Sequence, residues 1–225
     1  PVRWQGQWVI RERLGYARER EWVICFEAAY EAFSGRDDVP RSIYEIEGAR
    51  EVAVEFRSYS KTAGFTGLRC GFAVVPRSVH GKVVDGGALK KVALHDLWMR
   101  RQTTKYNGCP YIVQRAAEAV HSPQGKRETA AQIGAYMANA ARIREGVVSL
   151  GLTVSGGINA PYVWVRLPEG VDSWRFFDAL LHGAHIVGTP GAGFGPSGEG
   201  YFRLTGFGNA ADTLEAMERL KRFQL

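Results

Sequence analysis

The sequence has no run of apolar residues long enough to cross a lipid bilayer, since a spanning helix needs about 20 of them. Its opening also lacks an apolar core of the kind found in secretory signals, so we expect no export by that route. Cysteine is scarce, and Cys25, Cys70 and Cys109 are widely spaced and odd in number. This pattern suits reduced thiols in a cytosol-like compartment, or in a plastid stroma, better than a disulfide framework.

Clusters of positive charge are also missing, although the formal net charge is +6. The lysines and arginines are scattered, and no basic helix, zinc finger or aromatic RNA-binding motif accompanies them, so we expect no nucleic-acid partner. His182 and His185 form one close pair with no cysteine near them, and we expect no metal site there. The positive balance suits anionic small ligands such as a phosphate cofactor or dicarboxylates, although solubility alone would also explain it.

Apolar residues are plentiful, at 45% of 225 residues, and this amount supports a packed core. Short apolar runs separated by helical stretches predict an α/β fold. The predicted strands cover residues 22–26, 52–56, 70–75, 162–167 and 201–204. The predicted helices cover residues 7–20, 89–101, 110–120, 126–150 and 172–181, with a last helix from about residue 211.

The first predicted strand has too little sequence before it to supply neighbours for a covered parallel sheet. The chain also starts at Pro1 without an initiator Met. We therefore expect a fragment: an incomplete large α/β domain over residues 1–95, connecting helices over 96–121, and a long linking helix with a small α+β domain over 122–225.

The densest group of chemically useful residues is SYSKTAGFTGLR, at positions 58–69. Lys61 follows a buried strand and is surrounded by hydroxyls and glycines, an unusual setting for a residue that prefers open water. Such a lysine suits attack on an aldehyde. Ser58 and Ser60 offer hydroxyl donors, and Arg69 offers a planar fork that suits a phosphate dianion. From these residues alone, an ordinary surface loop remains an equal alternative.

This segment resembles the cofactor-lysine motif of the class I and II aminotransferases, which are fold-type I enzymes dependent on pyridoxal 5'-phosphate. Three further blocks carry the resemblance, which runs from about residue 21 to the C-terminus. They are RRQTTKYNG (100–108), NAPYVW (159–164), and GTPG followed by YFRL (188–191 and 201–204). The resemblance implies that Lys61 carries the cofactor, while Ser58 and Arg69 hold its phosphate. Ser60, with its hydroxyl donor, is a further candidate for cofactor binding. The resemblance also implies amino-acid and keto-acid substrates and a homodimer of the full-length protein.

Upstream, FEAAY (26–30) resembles the family's acid-and-tyrosine element. The resemblance implies that Glu27 faces the pyridinium nitrogen and that Tyr30 donates a hydrogen bond to the ring's phenolate oxygen. The family has aspartate where this chain has Glu27, so the extra methylene must be absorbed by a shift of the ring or the strand. A solvated carboxylate at Glu27 and core packing at Tyr30 are the alternatives.

Two polar residues further along are implied to contact ligands. Asn107 reaches the cofactor and substrate in the family, although an Asn-Gly pair is also simply a turn. Arg203 is implied to clamp the substrate carboxylate, against the alternative of a surface arginine on an edge strand. Asn159 is a weaker candidate.

The stretch GFGPSG (193–198) matches the dinucleotide-binding pattern in letters only. That pattern needs a following helix, whereas a strand is predicted here and Pro196 removes an N–H donor, so we expect a substrate-side loop. Two functional alternatives to the favoured enzyme stay open. One is a class I or II aminotransferase with a different amino donor or keto acid, and the other is a catalytically incomplete fragment.

Overall fold

A computed structural model describes residues 6–223 of the protein. The chain forms two compact units that divide between Thr129 and Ala130, inside the long helix α6 (Pro123–Ser149). We call residues 6–129 the N-terminal unit and residues 130–223 the C-terminal unit. The three-part division of the chain inferred from sequence stays a prediction.

The N-terminal unit begins with helix α1 (Gln7–Glu19), close to the predicted 7–20. Its central feature is a three-stranded sheet in the order β1-β2-β3, formed by β1 (Ile24–Glu27), β2 (Ala53–Ser58) and β3 (Gly71–Val74). All three strands were predicted. Between β1 and β2 the chain makes short 3-10 turns and the one-turn helix α2 (Ala49–Val52).

The directions of these strands decide which residues meet. Strand β1 runs parallel to β2, with Glu27 opposite Phe56, and β3 runs antiparallel to β2, with Gly71 opposite Ser58. The carboxyl ends of β1 and β2 therefore lie at the same sheet edge as the start of β3. A one-turn helix, α3 (Tyr59–Thr62), follows β2 directly at that edge.

Residues 80–93 differ from the sequence prediction. A helix was expected from residue 89, but the structure has an antiparallel hairpin of β4 (His80–Asp85) and β5 (Ala88–Ala93). Gly86 and Gly87 form its two-residue turn with φ of +57° and +82°, a backbone region that glycine enters without steric cost. Helix α4 (Leu94–Lys105) starts only after the hairpin, and α5 (Tyr111–Val120) follows it.

The C-terminal unit packs helices against a four-stranded sheet in the order β6-β7-β9-β8. The strands are β6 (Val154–Gly156), β7 (Tyr162–Arg166), β8 (Thr189–Pro190) and β9 (Tyr201–Thr205). Helices α7 (Ser173–Ala184) and α8 (Ala210–Arg222) complete the unit, and the Asp172 carboxylate caps α7 as predicted. Strands β6 and β8 were not predicted.

One continuous core holds the C-terminal unit together. Val163, Val165, Phe202 and Leu204 point inward from β7 and β9 and are buried against helices α6, α7 and α8. This alternation is the period-two pattern seen in the sequence of both strands. Within residues 6–223, no helix combines the length and the apolar content that a membrane span needs.

Candidate active site

The sheet edge of the N-terminal unit gathers the residues predicted to hold a cofactor. Glu27 is the last residue of β1, and the next N–H, of Ala28, still donates to the Phe56 carbonyl at 2.9 Å. Ser58 ends β2, and Lys61 lies one helical turn further on. The parallel register therefore places the Glu27 carboxylate and the Lys61 segment at one edge. Ligands of open α/β sheets bind outside the carboxyl ends of the parallel strands.

Arg69 lies at the same edge because it is two residues before the antiparallel strand β3. Gly71 pairs with Ser58, and the Tyr59 N–H donates to the Cys70 carbonyl at 3.1 Å, so Arg69 lies just outside the paired region. A side chain at position 71 would have its Cβ 2.6 Å from the Arg57 carbonyl oxygen, so the strands can approach this closely only with glycine there. Glycine is thus needed to bring β3 beside the end of β2.

The turn that carries Lys61 is fixed by its hydroxyl groups. The Ser58 Oγ accepts a hydrogen bond from the Ser60 N–H at 3.2 Å and caps α3. The Thr66 hydroxyl donates to the Ser60 carbonyl at 3.1 Å, which ties the following loop back onto the turn. A serine hydroxyl that accepts a capping bond still has its own O–H to donate. The capping leaves the Ser58 O–H free in principle to donate to a phosphate.

Arg69 is exposed and has a left-handed backbone, with φ of +56°. Its guanidinium donates to the Thr66 carbonyl at 2.7 Å. Arginine carries five N–H donors, so this contact orients the group without exhausting it. Arg69 is therefore presented at the edge with donor capacity for an anion.

Glu27 and Tyr30 differ in their surroundings. Glu27 is exposed at the end of β1, whereas Tyr30 is half-buried and its ring centroid lies 6.1 Å from that of Phe33. Tyr30 follows Glu27 through a tight turn in which the Glu31 N–H donates to the Ala28 carbonyl at 3.3 Å. The turn keeps both residues at the end of β1.

Asn107 is distant from Arg69 in sequence but lines the same cavity. It follows α4 with a left-handed φ of +66° and is exposed. An open cavity of about 550 Å³ is lined by Arg69 and Asn107 together, along with Tyr59, Phe72 and Tyr106. Glu27, Ser58 and Lys61 do not line this cavity. The structure thus brings Arg69 and Asn107 together in a cavity, and brings Glu27, Ser58 and Lys61 to the sheet edge.

A buried ionic network beside this edge was missed in the sequence. Glu55 on β2 is only 3% exposed and accepts hydrogen bonds from the Ser42 hydroxyl at 2.7 Å and the Ile43 N–H at 2.9 Å. The Arg57 guanidinium forms ion pairs with both the Glu55 carboxylate, at 2.6 Å, and the Glu31 carboxylate, at 3.2 Å. Burial raises the pKa of Glu31. The sequence signal for this network was Glu55, a carboxylate inside the predicted apolar strand 52–56. The network fixes the end of β2 against the segment that follows Tyr30.

Tyr59 was also overlooked because it lies between the two candidate serines. Its hydroxyl is 2.7 Å from the His121 Nε2 at the end of α5. The rings of Tyr59 and Phe65 lie 5.8 Å apart, and burial raises the pKa of the Tyr59 phenol. Tyr59 therefore anchors the turn between Ser58 and Lys61 to a helix far away in sequence.

Arg203, in the C-terminal unit, does not lie on an edge strand. Strand β9 is paired on both sides, with Trp164 of β7 and Thr189 of β8 opposite Arg203, so the edge-strand alternative is wrong. The guanidinium carbon lies 4.6 Å from the Tyr162 ring centroid and 4.4 Å from that of Phe194. Two aromatic faces at these distances hold the cation by cation–π attraction.

The glycine-rich loop of this unit supplies Phe194. It forms 3-10 turns at Gly191–Phe194 and Pro196–Gly198 and then enters β9, so no helix follows the GFGPSG pattern. A Cβ on Gly191 would lie 1.9 Å from the Gly198 carbonyl oxygen, so close backbone contact closes the loop. The other candidate in this unit, Asn159, is half-buried just before β7.

Comparison with known proteins agrees with this geometry. The family model for aminotransferase class I and II matches residues 10–220. The chain belongs to this family. Its sheets and helices are accordingly those of part of a fold-type I aminotransferase. Within residues 6–223, no group of three or more His, Cys, Asp or Glu side chains is arranged to hold a metal ion.

Individual relatives show which members of the family the chain resembles in sequence. An LL-diaminopimelate aminotransferase of Parabacteroides distasonis is 54% identical over 214 residues, and one of Bacteroides fragilis is 53% identical over 212 residues. These matches cover 95% and 94% of this chain but only 52% and 51% of the relatives. The solved L,L-diaminopimelate aminotransferase from Chlamydomonas reinhardtii is 39% identical, with a TM-score of 0.86 over 98% of this chain and 53% of that one. The chain thus spans about half the length of the relatives it matches.

Proposed function

We propose that this chain supplies the cofactor-lysine part of a pyridoxal-phosphate-dependent LL-diaminopimelate aminotransferase. The reaction moves the amino group of L-glutamate to tetrahydrodipicolinate and yields LL-diaminopimelate and 2-oxoglutarate, a step of lysine biosynthesis. The names of the relatives that are 53–54% identical support LL-diaminopimelate as the amino acid of this reaction. The widely spaced cysteines fit a reducing, cytosol-like compartment.

The observation that carries the proposal is the register of the three-stranded sheet. It brings Glu27, Ser58, Lys61 and Arg69 to one edge through β1, β2 and β3. Pyridoxal phosphate has four distinct polar parts: an aldehyde, a phosphate, a ring nitrogen and a phenolate oxygen. The amine, the guanidinium with a serine hydroxyl, the carboxylate and the Tyr30 phenol complement these parts one for one.

Each residue then has a defined task. Lys61 would hold the cofactor, and its amine would act as general base and general acid for the proton at the substrate Cα. Arg69 and Ser58 would fix the phosphate, with Ser60 and Thr66 holding the turn in place. Glu27 would keep the ring nitrogen protonated, the state in which the cofactor, when bound, supplies an acceptor for electrons from Cα. Arg203 would receive the substrate carboxylate in a bidentate pair. Asn107, at the cavity that it shares with Arg69, is a candidate contact of the cofactor.

This chain has Glu27 where the family has aspartate, which changes the distance between the carboxylate and the backbone of β1. The Glu27 side chain is longer by one methylene and is exposed at the end of β1. Because it is exposed, the side chain has room to bend back, and its carboxylate can reach the ring nitrogen without displacement of the strand. An E27D variant is expected to keep the activity of the completed enzyme, and E27Q to lose most of it.

Reductive trapping tests the assignment of Lys61. The chain is incubated with a limiting amount of pyridoxal 5'-phosphate, reduced with borohydride and digested with trypsin. We expect the label on Lys61, in an uncleaved peptide of residues 58–69, because the modified lysine resists trypsin. K61R is expected to lose that label, while K105R, in an exposed lysine at the end of α4, keeps it. A label spread evenly over exposed lysines would contradict the assignment.

Turnover requires more of the enzyme. Because the matched relatives are about twice as long, we expect the 225 residues alone to be weakly active or inactive. Joining the chain to the part of the B. fragilis relative that it does not match gives a completed enzyme for kinetic tests. A panel of keto acids then separates tetrahydrodipicolinate from other acceptors, and preference for another acceptor would favour a different class I or II aminotransferase.

A further inference from the structure

Two cysteines that are distant in sequence meet at the cavity shared by Arg69 and Asn107. The Sγ atoms of Cys70 and Cys109 lie 3.7 Å apart, and both residues line that cavity. No disulfide joins them, and Cys25 is exposed on β1. The sequence spacing gave no sign of the pair, since 39 positions separate the two residues.

The backbone on each side of the pair is already held in place. The Cys70 carbonyl accepts the Tyr59 N–H at 3.1 Å, and the Cys109 carbonyl accepts the Gln114 side-chain amide at 2.7 Å. Arg69, directly before Cys70, and Asn107, two residues before Cys109, both have a left-handed backbone. Closing the pair requires the sulfur separation to fall from 3.7 Å to the ~2.05 Å of a disulfide.

We propose that Cys70 and Cys109 form a redox-sensitive pair that closes to a disulfide and ties the Asn107 loop to the start of β3. The bond would connect the residue after Arg69 to the loop that carries Asn107. Oxidation would thereby restrict the cavity that these two residues line. The consequence for cofactor binding rests on the proposed function, whereas formation of the bond does not.

The two thiols differ in their readiness to react. Cys70 is 7% exposed, and burial raises the pKa of its thiol, whereas Cys109 is half-buried beside the open cavity. Thiolates, not thiols, attack disulfides. Cys109 is therefore the first nucleophile and Cys70 the one that completes the bond.

A low-molecular-weight disulfide such as oxidised glutathione is the oxidant that balances the reaction. The Cys109 thiolate attacks one sulfur, forms a mixed disulfide and releases one glutathione thiolate. The Cys70 sulfur then attacks the Cys109 sulfur, releases the second glutathione and completes the protein disulfide. Two protein thiols lose two electrons, the glutathione disulfide gains them, and both thiol protons pass to the released glutathione.

Peptide mapping of the 225-residue chain tests bond formation directly. The folded chain is treated with oxidised glutathione, its remaining thiols are alkylated, and it is digested with trypsin without reduction. We expect residues 70–77 and 106–115 to appear as one linked species, lighter than the two separate peptides by two hydrogens. Cys25 is expected to form no bond to another protein cysteine and to end alkylated or bound to glutathione, and a fourfold dilution of the protein should leave the yield of the linked species unchanged.

Three variants and one denaturing control make the result decisive. C109A and C70A should each abolish the linked species, and C25A should preserve it. In denaturing urea, bonds to Cys25 should appear as well, because proximity is lost. Alkylation of both Cys70 and Cys109 in the treated folded chain, or a disulfide from Cys25 to Cys70 or Cys109 in the folded chain, would overturn the proposal.

The effect on the cavity is measured separately in C25A. Amide hydrogen exchange of residues 106–115 should slow in the oxidised chain, and trapping of pyridoxal phosphate on Lys61 should fall. Unchanged exchange with the bond formed would overturn the restriction of the loop. Absence of trapping in the reduced chain would instead count against the proposed function and leave the disulfide unaffected.

Discussion

The two compact units differ in how they bury their apolar residues. The C-terminal unit has one continuous core that joins strands β7 and β9 to helices α6, α7 and α8. The N-terminal unit has two smaller clusters, one beneath α1 and one around Cys70. Helix α4 has no buried side chain, and Leu97, Trp98 and Met99 on it are exposed.

The larger apolar core and the candidate cofactor residues therefore lie in different units. The candidate cofactor residues all lie in the N-terminal unit, on a sheet of only three strands. Arg203 lies in the better packed unit, on a strand paired on both sides. We infer that the C-terminal unit is held mainly by apolar burial, whereas the N-terminal sheet edge depends more on specific polar contacts such as those of Glu55 and Tyr59.

The largest expected effect comes from the C-terminal core. Phe202 is 0% exposed, and its ring lies 4.9 Å from that of Phe176, so F202A leaves a cavity that the sheet cannot fill. We expect a loss of about 3–5 kcal/mol in the free energy of unfolding, measured by urea denaturation. The matched control L89A, at a residue 69% exposed on the hairpin, should change stability by no more than about 0.5 kcal/mol. An equal loss in L89A would show that the burial of Phe202 does not account for the destabilisation.

A smaller effect is expected at Arg203, the residue of the C-terminal unit that we propose binds the substrate carboxylate. R203K keeps the positive charge but loses the planar fork that pairs with a carboxylate. In the completed enzyme we expect kcat/KM for L-glutamate to fall about 10–100-fold, the equivalent of about one charged hydrogen bond. R166K, at an exposed arginine on neighbouring β7, is the control and should behave as the parent. An unchanged kcat/KM in R203K would show that Arg203 acts through its charge alone, and an equal fall in both variants would show that the loss is not specific to Arg203.

Much of this architecture could be predicted because its signals are local. Strands β1, β2 and β3 are short apolar runs, and α7 begins at a capping aspartate. The cofactor-lysine segment is likewise continuous in sequence, so the family motif could be recognised in it. The hairpin β4–β5 was missed because lysines and valines obscure its alternation, although Gly86-Gly87 is a hairpin signal.

Contacts between distant residues could not be predicted in the same way. Tyr59 meets His121, and Cys70 meets Cys109, only because α5 packs beside the start of β3. The position of β9 inside its sheet depends on β8, which has two residues and no apolar pattern. The edge-strand alternative for Arg203 failed for this reason. The roles of Glu27, Tyr30, Ser58, Ser60, Lys61, Arg69, Asn107 and Arg203 remain predictions.

The dependence of the N-terminal edge on polar contacts can be tested at Tyr59. Y59F removes the hydroxyl that lies 2.7 Å from the His121 Nε2 and leaves the ring packed beside Phe65. We expect a loss of about 1 kcal/mol in the unfolding free energy. Hydrogen exchange should quicken in residues 58–69 more than in residues 162–167. A uniform change across both units would argue against a local anchor.

The smallest effects, and the most direct comparison of the units, concern two carboxylates whose pKa values shift in opposite directions. Burial outweighs the attraction of Arg57 and raises the pKa of Glu31 in the N-terminal unit. The backbone N–H groups of Gly200 and Ser173 lower the pKa of Glu199 in the C-terminal unit. Replacing each glutamate with glutamine, in E31Q and E199Q, measures how much that carboxylate contributes to the pH dependence of the unfolding free energy.

The signs follow from linkage. Because the folded-state pKa of Glu31 is raised, the parent loses stability relative to E31Q as pH rises from the unfolded value of about 4.3 through the higher folded value. Because the folded-state pKa of Glu199 is lowered, the parent's advantage over E199Q is present above about pH 4.3 and is lost as pH falls through the lower folded value. Urea unfolding of the three proteins at about pH 3.5 and about pH 7 measures both differences. Shifts of the same sign would mean that Arg57 dominates at Glu31, and that its ion pair, rather than burial, sets the charge at the candidate site.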